Sequence, residues 1–197
     1  MKNTFKWVMV FAVIMAITSF QTSHAQVNYG LKGGLNFANV GGDDVEDAEM
    51  RIGFHVGGFL DISLAGLVAV ETGLYYSQKG YQYNESFMGV SFEFENVSSY
   101  LDIPVVMKIS PLPLIHFYAG PQASILLDNT YKFNGESESD TEGMRDLDLA
   151  LVIGAGVNVP GGLRASIGYD IGLTSLDEDG DFKAYNRVIK LTVGYRF

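Results

Sequence analysis

The chain has 197 residues, no cysteine and a formal net charge of −10, from 13 Lys and Arg against 23 Asp and Glu. That excludes a disulfide framework and thiolate chemistry and, in the absence of any basic run, a nucleic-acid partner. Charged residues are only 18% of the chain and hydrophobic ones 47%, with 23 glycines, a balance that excludes disorder, collagen and coiled coil.

Residues 1–25 form a secretory signal peptide. Lys2 and Lys6 give a positive start, and Trp7–Ile17 is an apolar run too short to span a bilayer. Ser23, His24 and Ala25 make a small-x-small cleavage site before Gln26. Cleavage there leaves 26–197 as one barrel domain and removes two lysines but no acid. No later stretch holds eighteen uninterrupted apolar residues.

From residue 27 the period is two, and eight strands follow. In 27–39, Tyr29, Leu31, Leu35 and Phe37 share one face, and Gly30, Lys32, Gly34 and Asn36 the other. In 51–63, Ile52, Phe54, Val56 and Leu60 alternate with Gly53, His55, Gly57, Phe59 and Asp61. In 67–79, Val70, Thr72, Leu74 and Tyr76 alternate with Glu71, Gly73 and Tyr75. In 99–109, Leu101, Ile103, Val105 and Met107 alternate with Tyr100, Asp102, Pro104 and Lys108. Segment 115–127 is the least regular, with Tyr118, Gly120, Gln122 and Ser124 on its polar face. In 147–159, 163–173 and 187–197 the polar faces carry Asp148, Arg164, Asp170, Lys190 and Arg196.

Short turns at 64–66, 110–114 and 160–162 alternate with long connections at 40–50, 80–97, 128–146 and 174–185. In an up-and-down barrel this puts every long connection at one end. Three of them are acidic: Asp43, Asp44, Glu46, Asp47 and Glu49; Glu136, Glu138, Asp140 and Glu142; Asp177, Glu178, Asp179 and Asp181. None keeps EF-hand spacing, so they are read as a solvated rim.

The charges decide which face is inside. Lys32, Asp61, Glu71, Asp102, Lys108, Asp148, Arg164, Asp170, Lys190 and Arg196 all lie on the glycine-rich polar face, five acids against five bases. Balanced opposite charges suit a narrow lumen filled by paired ions, and lipid then touches the apolar face. Strands of about eleven residues match a tilted bilayer crossing. The expected fold is all-β: an eight-stranded antiparallel up-and-down transmembrane β-barrel. Asp148 and Arg164, on adjacent strands, are expected to form a salt bridge. Tyr195 and Phe197 end the last strand on the lipid side and read as an insertion signal for the barrel-assembly machinery, with no further domain after them.

The stretch Tyr100-Leu101-Asp102-Ile103-Pro104-Val105-Val106-Met107-Lys108 resembles a strand of the Bacteroidetes-type outer-membrane β-barrel (porin-like) family. Ala119-Gly120-Pro121, Gly154-Ala155-Gly156-Val157 and the opening Tyr29-Gly30-Leu31-Lys32-Gly33-Gly34-Leu35-Asn36 resemble it too. The resemblance implies a small eight-stranded barrel in the outer membrane of a Gram-negative bacterium. It implies no substrate.

Catalysis finds little support. His24 leaves with the leader, His55 falls on the lumen face, His116 begins a strand, and no Ser/His/acid set can be assembled by spacing. No cofactor, metal or catalytic residue is expected. In 80–97, Tyr81 and Tyr83 share a face with Phe92 and Phe94, the lumen side, so the two strands are expected to continue as a hairpin turning near Ser86–Gly89. These aromatics are the expected surface contact for an extracellular partner. The other expected partners are outer-membrane lipid and lipopolysaccharide, around a monomer. Two readings stay open: a closed barrel that is structural or binds through its outer loops, and a small pore for ions or solutes.

Overall fold

The structure is a computed structural model that describes residues 26–42, 49–87, 90–133, 136–139, 141, 144–176 and 184–197. The expected leader, most of the acidic connections and residues 88–89 lie outside these residues.

Alternation that runs from end to end of each segment produces strands and nothing else among the described residues. They are β1 (Val27–Gly41), β2 (Glu49–Ala65), β3 (Val68–Phe87), β4 (Val90–Ile109), β5 (Ile115–Phe133), β6 (Glu136–Ser139), β7 (Leu147–Asn158), β8 (Leu163–Gly172) and β9 (Tyr185–Arg196). All pair antiparallel. Each strand pairs with its neighbour in sequence, except that β5 pairs directly with β7 and that β1 pairs with β9 to close the ring. Eight strands make the barrel, and the short β6 lies along the outer end of β5. Closure leaves no sheet edge within the lipid, where an unpaired amide has no water to turn to.

The burial is inverted relative to a water-soluble domain. Leu31, Leu74 and Val193 are 57%, 53% and 66% exposed, whereas Asp102, Asp148 and Lys79 are 0–1% exposed. All eight lumen faces read from the sequence are lumen faces in the structure. At one end Gly66 (φ +52°), Gly161 (φ +93°) and Gly162 (φ +92°) take left-handed backbone in tight turns, where a side chain would be strained.

Strand length departs from the expectation. Crossing takes about eleven residues, yet β3 and β4 have 20 each and β5 has 19. The β3–β4 register runs unbroken from Tyr75↔Asp102 to Phe87↔Val90. About ten residues of each strand, roughly 30 Å of contour, therefore stand beyond the apolar belt. The turn expected near Ser86–Gly89 lies beyond that last pair, outside the described residues. The ninth strand, β6, extends this outer sheet and has no counterpart in the sequence reading.

Candidate functional site

The barrel interior brings charges from strands far apart in sequence into two tiers. Nearest the short turns, Asp61 accepts from Lys108 Nζ and Arg164 Nη1, both at 2.8 Å. Glu71 accepts from Lys108 at 3.0 Å, from Arg164 at 3.4 Å, and from Lys32. The Lys32 and Arg164 cations lie over the Phe59 ring, 4.6 and 5.0 Å from its centroid. Toward the long connections, Asp102 is ion-paired with Lys79 at 2.9 Å and accepts from Lys190 at 3.0 Å, and Asp170 is ion-paired with Lys190 at 2.6 Å. Lys79 also donates to Ser124 at 2.9 Å and lies over the Tyr100 ring. Between the tiers is a void of about 70 Å³, lined by Lys32, His55, Glu71, Tyr75, Tyr118 and Lys190 among others. It has room for a few waters. His55 hydrogen-bonds Asn36 at 2.7 Å and Thr192 at 3.0 Å beside it.

Eight of the ten charges expected in the lumen network take part in ion pairs there, and two are placed otherwise. Asp148 and Arg164 do not meet. Antiparallel neighbours put the start of β7 and the start of β8 at opposite ends of the barrel, so Asp148 instead accepts from Thr174 at 2.8 Å and Asn186 at 2.9 Å. Arg196 has the lumen parity but lies exposed at the open mouth, outside the network. Lys79, 1% exposed, is absent from the sequence-derived set. Its signal was available: it sits on the Glu71, Gly73, Tyr75 face at the last position of that segment. The glycines serve rings more than ions. A Cβ at Gly30 would meet Phe59 at 2.6 Å and one at Gly156 would meet His116 Nε2 at 2.6 Å, while Gly194 makes way for Lys32 and Gly41 for Arg187, each at 2.7 Å.

Above the upper tier the lumen is capped by buried amides and hydroxyls. Asn129 accepts from Ser98 at 2.8 Å and Asn96 at 3.1 Å. An extra residue in β5, Leu127, lets Ser99 pair with Asp128 while Tyr100 pairs with Leu126. That bulge shifts the parity of β5 by one and turns Asn129 and Tyr131 to the lumen side. Beyond the cap, β3 to β6 form a four-stranded sheet whose register stacks two cross-strand rows. One is Tyr83–Phe94–Phe133–Glu136, and the next is Tyr81–Asn96–Tyr131–Glu138. The unbroken β3–β4 ladder keeps them on the side of Lys79 and Ser98, as the sequence parity implies. Ring centroids are 5.5 Å apart for Tyr81–Tyr83, 6.4 Å for Tyr81–Phe94 and Tyr83–Phe94, and 6.1 Å for Phe94–Tyr131. Burial, then Tyr131 and Tyr83, push the Tyr81 phenol up to about 12. Phe92 stands opposite Glu85 in register, and its side chain lies outside the described residues. In the same sheet Arg51 and Lys132 hold Glu95 at 2.6 and 3.0 Å. Burial pushes that carboxyl up, but the hydrogen bonds from Lys132 and Arg51 outweigh it and leave it below the ordinary range.

At the opposite end Tyr195 and Phe197 point outward, with Phe197 5.7 Å from Tyr29 and 5.5 Å from Tyr195, ring to ring. These rings form an aromatic rim below the apolar belt.

Lipid-facing aliphatics around an ion-paired core place the barrel in a membrane. The family comparison says which membrane: the sequence model of the outer membrane protein beta-barrel domain matches residues 20–178. The chain belongs to this family. As an outer-membrane β-barrel it is similar in fold to Ail, the attachment invasion locus protein of Yersinia pestis, at 15% identity over 87% of this chain and 99% of that one, with a TM-score of 0.53. Ail in complex with the heparin analogue sucrose octasulfate matches at 18% identity over the same shares, with a TM-score of 0.55. Neisserial surface protein A (NspA) matches at 11% identity over 87% and 97% of the two chains, with a TM-score of 0.51. No functionally curated protein matches the sequence.

Proposed function

We propose that this outer-membrane barrel is closed to solutes and works through its outer sheet, as a surface-binding or structural protein of the Bacteroidetes type rather than an enzyme. The observation that carries this reading is the pairing of a lumen plugged by two ion-pair tiers with a sheet that continues some ten residues past the lipid belt. A leader cut before Gln26 exports the chain, and Tyr195 and Phe197 present it to the assembly machinery. The long connections then face the cell exterior, since barrels of this kind keep short turns in the periplasm. The sucrose octasulfate complex belongs to Ail. An acidic outer end argues against the same polyanion here, because 43–49, 136–142 and 177–181 carry clustered carboxylates.

Planar-bilayer recording of the refolded mature chain tests closure. Brief, small events are expected, and steady openings that pass sugars would make the pore reading the leading one. The void between the tiers is what a pore would have to enlarge. A tag inserted at Gly89 tests topology and should label on intact cells. Labelling only after the outer membrane is permeabilised would invert the barrel.

A further inference from the structure

We propose that the aromatic face of the outer sheet binds a cationic polypeptide segment of a partner protein, with Lys and Arg side chains seated on the rings and held by carboxylates at the sheet edge. The inference rests on the surface-binding reading above and names the chemistry of its partner.

Three features carry it. The face lies beyond the apolar belt, so lipid does not cover it, yet its two cross-strand rows place Tyr83, Phe94 and Phe133 side by side, with Tyr81 and Tyr131 in the next row. Phe133 is 52% exposed and the other rings are half-buried. A contiguous aromatic patch in water marks a contact surface. The second feature is charge. The rows end on β6 at Glu136 and Glu138, and Glu138 is exposed opposite Tyr131. Ring faces attract cations through their quadrupole, and flanking carboxylates raise the local concentration of a basic partner. The third feature separates a cation from a sugar. A neutral glycan is held by side-chain amides and carboxylates beside the rings, but the amide at the centre, Asn96, is buried and committed to Asn129 and Ser98, which leaves the Tyr81, Tyr83 and Tyr131 hydroxyls as the polar groups there. The centre offers rings and the edge offers charge, which is what an arginine- or lysine-rich strand requires.

The test is a fluorescence-anisotropy titration of the refolded mature chain with labelled nona-arginine at physiological salt. Tyr83→Ser with Phe94→Ser should weaken binding about tenfold at unchanged net charge, and Tyr83→Phe should leave it within about twofold. Glu138→Gln should weaken it about threefold, whereas Asp179→Asn with Asp181→Asn, in the β8–β9 connection, should change it less than about twofold. Each variant is checked for the heat-modifiable gel shift of a folded barrel, and Phe133→Ser, at an exposed ring, replaces any that fails. Wild-type affinity in the ring variants, with losses that only track net charge, would overturn the proposal. So would displacement of the peptide by neutral dextran, which would assign the face to carbohydrate. A protein that labels at Gly89 on intact cells but binds no peptide sinks this inference alone. Periplasmic labelling sinks the surface-binding reading beneath it.

Discussion

Asp102 is the most consequential single charge in the lumen, and Asp102→Asn is the perturbation that tests the tiers. The carboxylate is 0% exposed and receives Lys79 at 2.9 Å and Lys190 at 3.0 Å. At an effective dielectric of about 20, each attraction is worth roughly 6 kcal/mol before desolvation. Taking each ion out of water offsets several kcal/mol of that, so the intact cluster contributes little net stability. Removing one partner is different. Lys190 keeps Asp170 at 2.6 Å, but Lys79, 1% exposed, retains Ser124 and the Tyr100 ring among the described residues. An ammonium left buried without its counter-ion costs about 3–5 kcal/mol. The double variant Asp102→Asn with Lys79→Gln removes the stranded charge and should recover most of that loss. The assay is reversible urea unfolding in lipid vesicles, followed by far-ultraviolet circular dichroism because the single Trp lies at position 7, in the proposed leader. A loss below about 1 kcal/mol for Asp102→Asn, or no recovery in the double variant, would show that water screens the upper tier. The sealed lumen would then have to be abandoned.

Glu95 gives the outer sheet a pH dependence. Its carboxyl is held below the ordinary range in the folded state by Lys132 and Arg51 despite the opposing effect of burial. The ion pairs therefore stabilise above the unfolded value of about 4.3 and are lost as pH falls through the lower folded value. Lys132 is 42% exposed, so the contribution is about 0.5 kcal/mol, read as lower amide-exchange protection factors around Glu95 in acid and abolished by Glu95→Gln. Gly156→Val should cost about 1–3 kcal/mol by overpacking, because even a Cβ there meets His116 at 2.6 Å and the Ala165 carbonyl at 2.7 Å; a neutral result in the same urea assay would mean the ring moves freely. Deleting Phe197 should lower the amount of assembled barrel in cells while the purified chain still refolds in detergent. Its ring packs only on Tyr29 and Tyr195 at the rim, so packing alone predicts a small effect, and normal surface levels would reduce Phe197 to a lipid contact.

The strand faces were legible in the sequence because a barrel has only two of them. A period of two assigns every residue to lipid or lumen, and lipid accepts no lysine or aspartate, so Lys32, Asp61, Glu71, Asp102, Lys108, Arg164, Asp170 and Lys190 could be placed inside without coordinates. The hairpin continuing through Tyr81, Tyr83 and Phe94 was legible for the same reason, since unbroken alternation needs only local sequence. What the tertiary structure decided was depth and partnership. Arg164 meets Asp61 across 103 residues and Lys190 meets Asp102 across 88, distances set by barrel closure and register rather than by strand adjacency. That is why Asp148 and Arg164, neighbours by strand, stand at opposite ends, and why Arg196 has the right face but lies at the mouth. The bulge at Leu127 and the added strand β6 likewise appear only once β4 and β5 are aligned, because a one-residue slip is a property of the pair of strands. The outer face follows from that slip: only with Tyr131 turned to the same side as Tyr81 and Phe94 do the rings of three strands become one surface.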